Sequence, residues 1–174
     1  KIGNLKKFSE TIGYLESKQL RTTEDLDALL NSMQEQINVL KESASGKQTR
    51  IKKLDELLRM ADYYQQGKPV ADKLKTIRFD KSRQKYKAEH ENVLRTFYMA
   101  ERKLKNQWVD GKLPVHAWRK EKSKLETEYQ ALQQKITPLY ADTKKLWAIH
   151  YSIYQVQHEQ ERQNAVTRQK KQEI

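Results

Sequence analysis

The 174-residue chain has no cysteine, only five glycines and three prolines, and just 36% hydrophobic residues even with tyrosine counted. Without cysteine there are no disulfides and no thiolate chemistry, which fits a reducing compartment, so a cytoplasmic location is expected. Five isolated glycines cannot build a phosphate-cradling loop, and so few turn residues leave little material for an all-β fold. No apolar run approaches the roughly 18 residues of a membrane-spanning helix. The apolar set is too lean for a thick globular core, yet it suffices if drawn into narrow stripes along helices. Lys1 stands where an intact protein would begin with Met, as expected of an excised fragment.

The stripes are present. Asn4 is a candidate cap for a first helix over 4–20, with Leu5, Phe8, Ile12 and Leu15 on one face and Gly13 as a weak point. A second start follows at Thr22, whose hydroxyl can accept from the backbone ahead, with Asp25 at the acidic position of a capping box. From there Leu26, Leu30, Met33, Ile37, Leu40, Ala44, Lys47, Ile51, Leu54, Leu58 and Ala61 alternate four and three apart, predicting one long helix over 23–66. A mean period of 3.5 is the seam of a coiled coil rather than the broad face of a globular helix. Gly67 and Pro69 are expected to end it.

Residues 68–112 read as a helical insert: a short helix after Pro69, a break near Phe79-Asp80, then helix through Tyr86, Val93, Leu94, Phe97, Leu104 and Trp108, closed by a turn at Asp110-Gly111. Pro114 suits the first turn of a last long helix over 115–158. There Trp118, Lys122, Leu125, Tyr129, Leu132, Ile136, Leu139, Thr143, Leu146, His150 and Ile153 repeat the seam, and 159–174 reads as a polar, frayed tail. The expected architecture is a single all-α domain over 1–158, an elongated antiparallel coiled-coil hairpin with a small helical knob at its tip. A compact four-helix bundle is the alternative. Gly46 and Pro138 weaken the two long helices at nearly the same predicted level, so a shared bend is expected there.

The net charge of +12 is not spread evenly. Residues 68–124 hold 17 Lys or Arg against seven Asp or Glu, so almost the whole excess sits in the insert and the start of the last helix. One run is Lys73, Lys75, Arg78, Lys81, Arg83, Lys85 and Lys87; a second is Arg102, Lys103, Lys105, Lys112, Arg119, Lys120, Lys122 and Lys124. Such a surface suits the phosphates of a nucleic acid bound without sequence preference, with affinity falling steeply in salt. Most charge runs are merely solvated helix faces, and it is the confinement that favours a polyanion. Phe79, Tyr86, Trp108 and Trp118 are interleaved, and packing into the core of the knob, rather than forming a base-stacking platform, is the expected role for these rings.

Catalytic patterns are missing. His90, His116, His150 and His158 form no His-x-His or His-Glu-x-x-His arrangement, and His150 sits on the seam, where fixing register is its expected role. No acidic pair is marked as acid and base, and Tyr63-Tyr64 reads as one packed ring and one exposed ring. No catalytic residue, metal site or cofactor is expected.

Three segments nevertheless resemble, in order, parts of a known family. Asn4–Leu20 (NLKKFSETIGYLESKQL), Lys85–Leu104 (KYKAEHENVLRTFYMAERKL) and Lys112–Leu132 (KLPVHAWRKEKSKLETEYQAL) look like the region that follows the nuclease domain in relaxases. These are the mobilization nucleases of conjugative plasmids and integrative conjugative elements, or conjugative transposons. The chain departs from the family pattern at Phe79-Asp80-Lys81-Ser82, where a Gly-Tyr-Ser break is expected. The resemblance implies a non-catalytic part of a DNA-nicking relaxase that holds DNA or docks a relaxosome accessory or coupling protein during conjugation. A coiled-coil spacer or protein-interaction rod is the competing expectation. A self-contained hairpin needs no second copy, so a monomer is expected.

Overall fold

A computed structural model describes the backbone of residues 2–172 and the side chains of residues 9–165. The chain is all-α, with helices α1 (Ile2–Ser17), α2 (Thr23–Thr76), α3 (Asp80–Glu89), α4 (Glu91–Leu104) and α5 (Val115–Gln172), and one 3₁₀ turn at Lys105–Gln107. Among the described residues the only β pairing is an isolated bridge between Val109 and Lys112. It closes a tight turn in which Asp110 and Gly111 both have positive φ, the conformation that an Asp-Gly pair supplies most readily.

The two long seams are realised residue by residue. Every predicted seam position of α2, and every one of α5, is buried or half-buried. The capping box also forms: the Asp25 backbone N–H donates to the Thr22 hydroxyl at 3.1 Å, and the Thr22 N–H donates to the Asp25 carboxylate at 3.0 Å. A bond from the Arg21 N–H, together with that from Thr22, holds the Asp25 carboxyl below the usual carboxylate range.

Several boundaries depart from expectation. Asn4 does not open α1, which already begins at Ile2. This helix ends at Ser17 rather than residue 20, with Gln19 in the left-handed region and the Leu20 N–H returning to the Leu15 carbonyl, a Schellman-type stop. The α2 helix does not stop at Gly67 and Pro69 but runs to Thr76. The reason is packing. Ala71, Leu94 and Phe97 form a buried cluster beneath Tyr64, Val70 and Leu74, and Phe97 lies so close to Gly67 that an added Cβ would come within 2.5 Å of it. Burial on both sides of Pro69 offsets the one hydrogen bond that proline removes. Trp108 lies beyond α4 in extended backbone, and Pro114 sits just outside α5, where its carbonyl accepts the Trp118 N–H at 3.1 Å. The α5 helix continues through Gln172 instead of fraying beyond 158. No Gly or Pro interrupts that stretch, and local pairs such as Tyr154–His158 and Gln163–Glu159 line it.

The expected single domain resolves into two compact units, one made of residues 1–43 and 132–174, the other of residues 44–131. Both α2 and α5 are unbroken across the division, so no loop or composition change marks it; Gly46 and Pro138 both remain helical.

In unit 1 the first part of α2 and the last part of α5 run antiparallel, as the pairs Asp27–His150 and Lys41–Tyr140 require. Leu26, Leu30, Met33 and Leu146 form the buried cluster, against which Tyr14, Leu15 and Leu20 pack from the α1 side. Ile12 is exposed rather than on the packed face, and the side chains of Leu5 and Phe8 lie outside the described residues. Lys145 lies 3.8 Å from the centroid of the Tyr14 ring, and Lys18 pairs with Asp142 at 3.2 Å. His150 on the seam bonds Asp27 at 2.8 Å, a cross-helix link of the register-setting kind.

In unit 2 the antiparallel pairing of α2 and α5 recurs through Lys47–Glu128, Arg50–Glu121 and Asp55–Lys122. A third helix, α4, lies antiparallel to the later part of α2, joined by Lys103–Glu56 and by Phe97 over Gly67. Leu54, Met60, Ala61, Ala100, Leu104 and Trp118 make the core there.

Candidate nucleic-acid interface

All fifteen cations singled out in the sequence fall within unit 2. This unit carries 22 basic and 12 acidic residues, a net +10, against 13 and 11 in the rest of the chain. The excess comes from α3, the end of α2 and the segment from Arg102 to Lys124, which the fold gathers into one compact unit.

The fifteen differ in what holds them. Two are fastened between helices. Lys122, half-buried, reaches Asp55 on α2 at 2.6 Å and Glu126 at 3.5 Å, and the hydrogen bond to Asp55 holds its ammonium above the usual lysine range. Lys103 bonds Glu56, whose carboxyl is thereby kept below its ordinary range. These two tie α5 and α4 to α2. Beside them, Arg50 grips Glu121 with two bonds of 2.7 and 2.9 Å, lowering the Glu121 pKa through that hydrogen bond.

Four more cations have a partner on their own helix: Lys75–Asp72 at 3.6 Å, Arg83–Asp80 at 3.7 Å, Lys85–Glu89 at 3.9 Å and Lys124–Glu128 at 3.9 Å. Exposed pairs this long hold their cation weakly, so a phosphate competes for it. The remaining nine, Lys73, Arg78, Lys81, Lys87, Arg102, Lys105, Lys112, Arg119 and Lys120, are exposed and make no ion pair among the described residues.

The α3 helix stands apart. No residue of it is buried, and Lys81, Arg83, Lys85 and Lys87 recur at every second position, which distributes positive charge around much of its circumference. A ten-residue helix without a packed face is marginal by itself, and a few local contacts hold it. Lys73 of α2 lies 5.3 Å from the centroid of the Tyr86 ring, the His90 ring lies 4.3 Å beyond, and the Arg83 guanidinium donates to the Ile77 carbonyl at 2.7 and 3.2 Å.

The four interleaved aromatics do not share one fate. Trp118 is core, Tyr86 is half-buried and Trp108 sits edge-on to Tyr64 at the surface, while Phe79 is 78% exposed. The expectation that these rings pack into a core therefore fails for Phe79 and is only half met by Trp108. Tyr63 and Tyr64 are both half-buried rather than one packed and one exposed, with Tyr64 stacked on Phe97 at 5.2 Å. Sequence periodicity gave no sign of the Phe79 exposure, because the residue belongs to the short link between α2 and α3 and to neither seam.

Among the described residues no group of three or more His, Cys, Asp or Glu is placed to hold a metal ion, and no helix is long and apolar enough to cross a membrane. No protein-family model, curated protein or solved structure matches the chain.

Proposed function

We infer that this chain is a non-catalytic DNA-binding module whose unit 2 grips the phosphate backbone without sequence preference. The observation that carries the reading is the concentration, in a unit of net +10, of nine exposed cations that make no ion pair among the described residues. Solvated cations of this kind release counterions from DNA on contact, whereas cations locked in cross-helix pairs would have to give up a partner first. The resemblance of three ordered segments to the region behind the relaxase nuclease domain supports a place in DNA mobilization. In that setting the module holds DNA near the transfer origin and offers a surface to a relaxosome accessory or coupling protein.

The test is a titration of labelled DNA at two salt concentrations, on the chain and on a variant with Arg78, Lys81, Lys85 and Lys87 replaced by Ala. Arg83 is kept, because its bonds to the Ile77 carbonyl hold the α2–α3 link. The expected outcome is at least a tenfold loss of affinity at low salt and a salt slope shallower by about three, with unchanged helicity. Binding that is undetectable or independent of salt in the unsubstituted chain would leave a coiled-coil spacer or interaction rod as the function, the reading that the two long seams support.

A further inference from the structure

We propose that the ligand of this surface is single-stranded nucleic acid, and that Phe79 is the ring on which a base stacks. The proposal rests on the nucleic-acid reading above and adds which strand form is bound and where.

Phe79 is the most exposed large hydrophobic side chain among the described residues, at 78%. An isolated phenyl ring in water is a cost that folding normally removes. Here the backbone beneath it is held in place. The Phe79 backbone is extended, its carbonyl accepts the Arg83 N–H at 2.9 Å, and the Arg83 guanidinium grips the carbonyl of Ile77, two residues earlier. One arginine therefore fixes the link from both sides while the ring projects from it.

Asp80 follows the ring directly but pairs with Arg83 at 3.7 Å, so the nearest charges in sequence without an ion pair are positive. Arg78 precedes it and Lys81 follows two residues later; both are exposed and make no ion pair among the described residues. A flat apolar ring with exposed cations close by on both sides in sequence is a combination that binds a single strand, the cations following the phosphates while a base covers the ring. A duplex keeps its bases stacked inside and exposes a base face to that ring only at the cost of unstacking a step. An interfacial membrane helix would need an apolar face, and α3 has no buried or apolar side to supply one.

The test compares a short mixed-sequence DNA single strand with its duplex, by fluorescence polarisation at one salt concentration, on the unsubstituted chain, Phe79→Ala and Phe79→Trp. The expected result is a preference for the single strand, a loss of about tenfold in single-strand affinity for Phe79→Ala with duplex affinity and salt slope unchanged, and recovery in Phe79→Trp. Circular dichroism should stay the same, since the ring packs in no core. If DNA binds but Phe79→Ala leaves single-strand affinity intact, or lowers both forms equally, the stacking proposal is wrong and the phosphate-binding reading stands. If the unsubstituted chain binds neither form, both fall. Sedimentation with phosphatidylserine vesicles that depends on Phe79, without any single-strand preference, would also overturn the proposal in favour of a lipid surface.

Discussion

The two units are built on the same pair of helices and put them to different use. Each joins a stretch of α2 to a stretch of α5 along a seam of period 3.5, and each is covered on one side by a third helix, α1 in unit 1 and α4 in unit 2. Unit 1 is close to neutral, and its exposed links such as Lys18–Asp142 tie elements together. Unit 2 carries nearly all the excess charge and spends only part of it on cross-helix pairs. It also carries α3, a helix with no fully buried residue. A seam of apolar residues sets which helices pair, and it leaves the outer positions free. Function is written in those outer positions, so two stretches with one packing rule diverge completely in what they offer to solvent.

Removing the Phe97 ring is the strongest way to separate the units. Phe97 is 2% exposed and holds α4 to the end of α2, so Phe97→Ala should cost about 3–5 kcal/mol. In native-state hydrogen exchange, amides of α4 and of residues 60–76 should lose protection while those around Leu26, Ile37 and Leu146 keep theirs. Equal loss in both regions would show that the units do not open separately.

Glycine substitutions sharpen the contrast between a packed and an open helix surface. An added methyl at Gly67 meets Phe97, so Gly67→Ala should destabilise by about 1–3 kcal/mol in urea unfolding, although alanine is the better helix former. At Gly46 nothing lies within 4 Å of the added carbon, and the same change should stabilise by about 1 kcal/mol. Opposite signs are the expected result; two gains would mean that α4 does not lie against Gly67.

Acid should weaken the cross-helix pairs of unit 2. The carboxyls of Glu56, Glu121 and Glu128 are held below their ordinary value of 4.5 mainly by hydrogen bonds from Lys103, Arg50 and Lys47. A depressed folded pKa contributes stability that is present above the unfolded value and lost as the pH falls through the folded one. Melting temperature should therefore hold from neutrality to about pH 5 and drop below about pH 4, where unit 2 also gains uncompensated positive charge. A flat profile down to pH 3 would mean that these cross-helix pairs contribute nothing.

The seams were legible in the sequence because a period of 3.5 leaves one answer for which side of a helix is buried, and Thr22 with Asp25 announced the start of α2 by their chemistry. The end of α2 was hidden. Gly67 and Pro69 are local stop signals, and only the approach of Phe97, thirty residues further on, explains why the helix ignores them. The division into units was equally hidden, since it falls inside two continuous helices. Composition located the charged region, but could not distinguish Lys122 and Lys103, fastened to α2, from Lys81 and Lys87, which make no ion pair among the described residues. Likewise, the link that carries Phe79 is held by Arg83 bonding back to Ile77, a contact without a sequence signature.

The most direct measurement is lysine footprinting, acylating the protein with and without DNA and reading each site by mass spectrometry. Lys73, Lys81, Lys87, Lys105, Lys112 and Lys120 of unit 2 should be protected by DNA, while Lys41 and Lys144 of unit 1 react as before. Protection centred on unit 1, or shared evenly between the two units, would contradict the account.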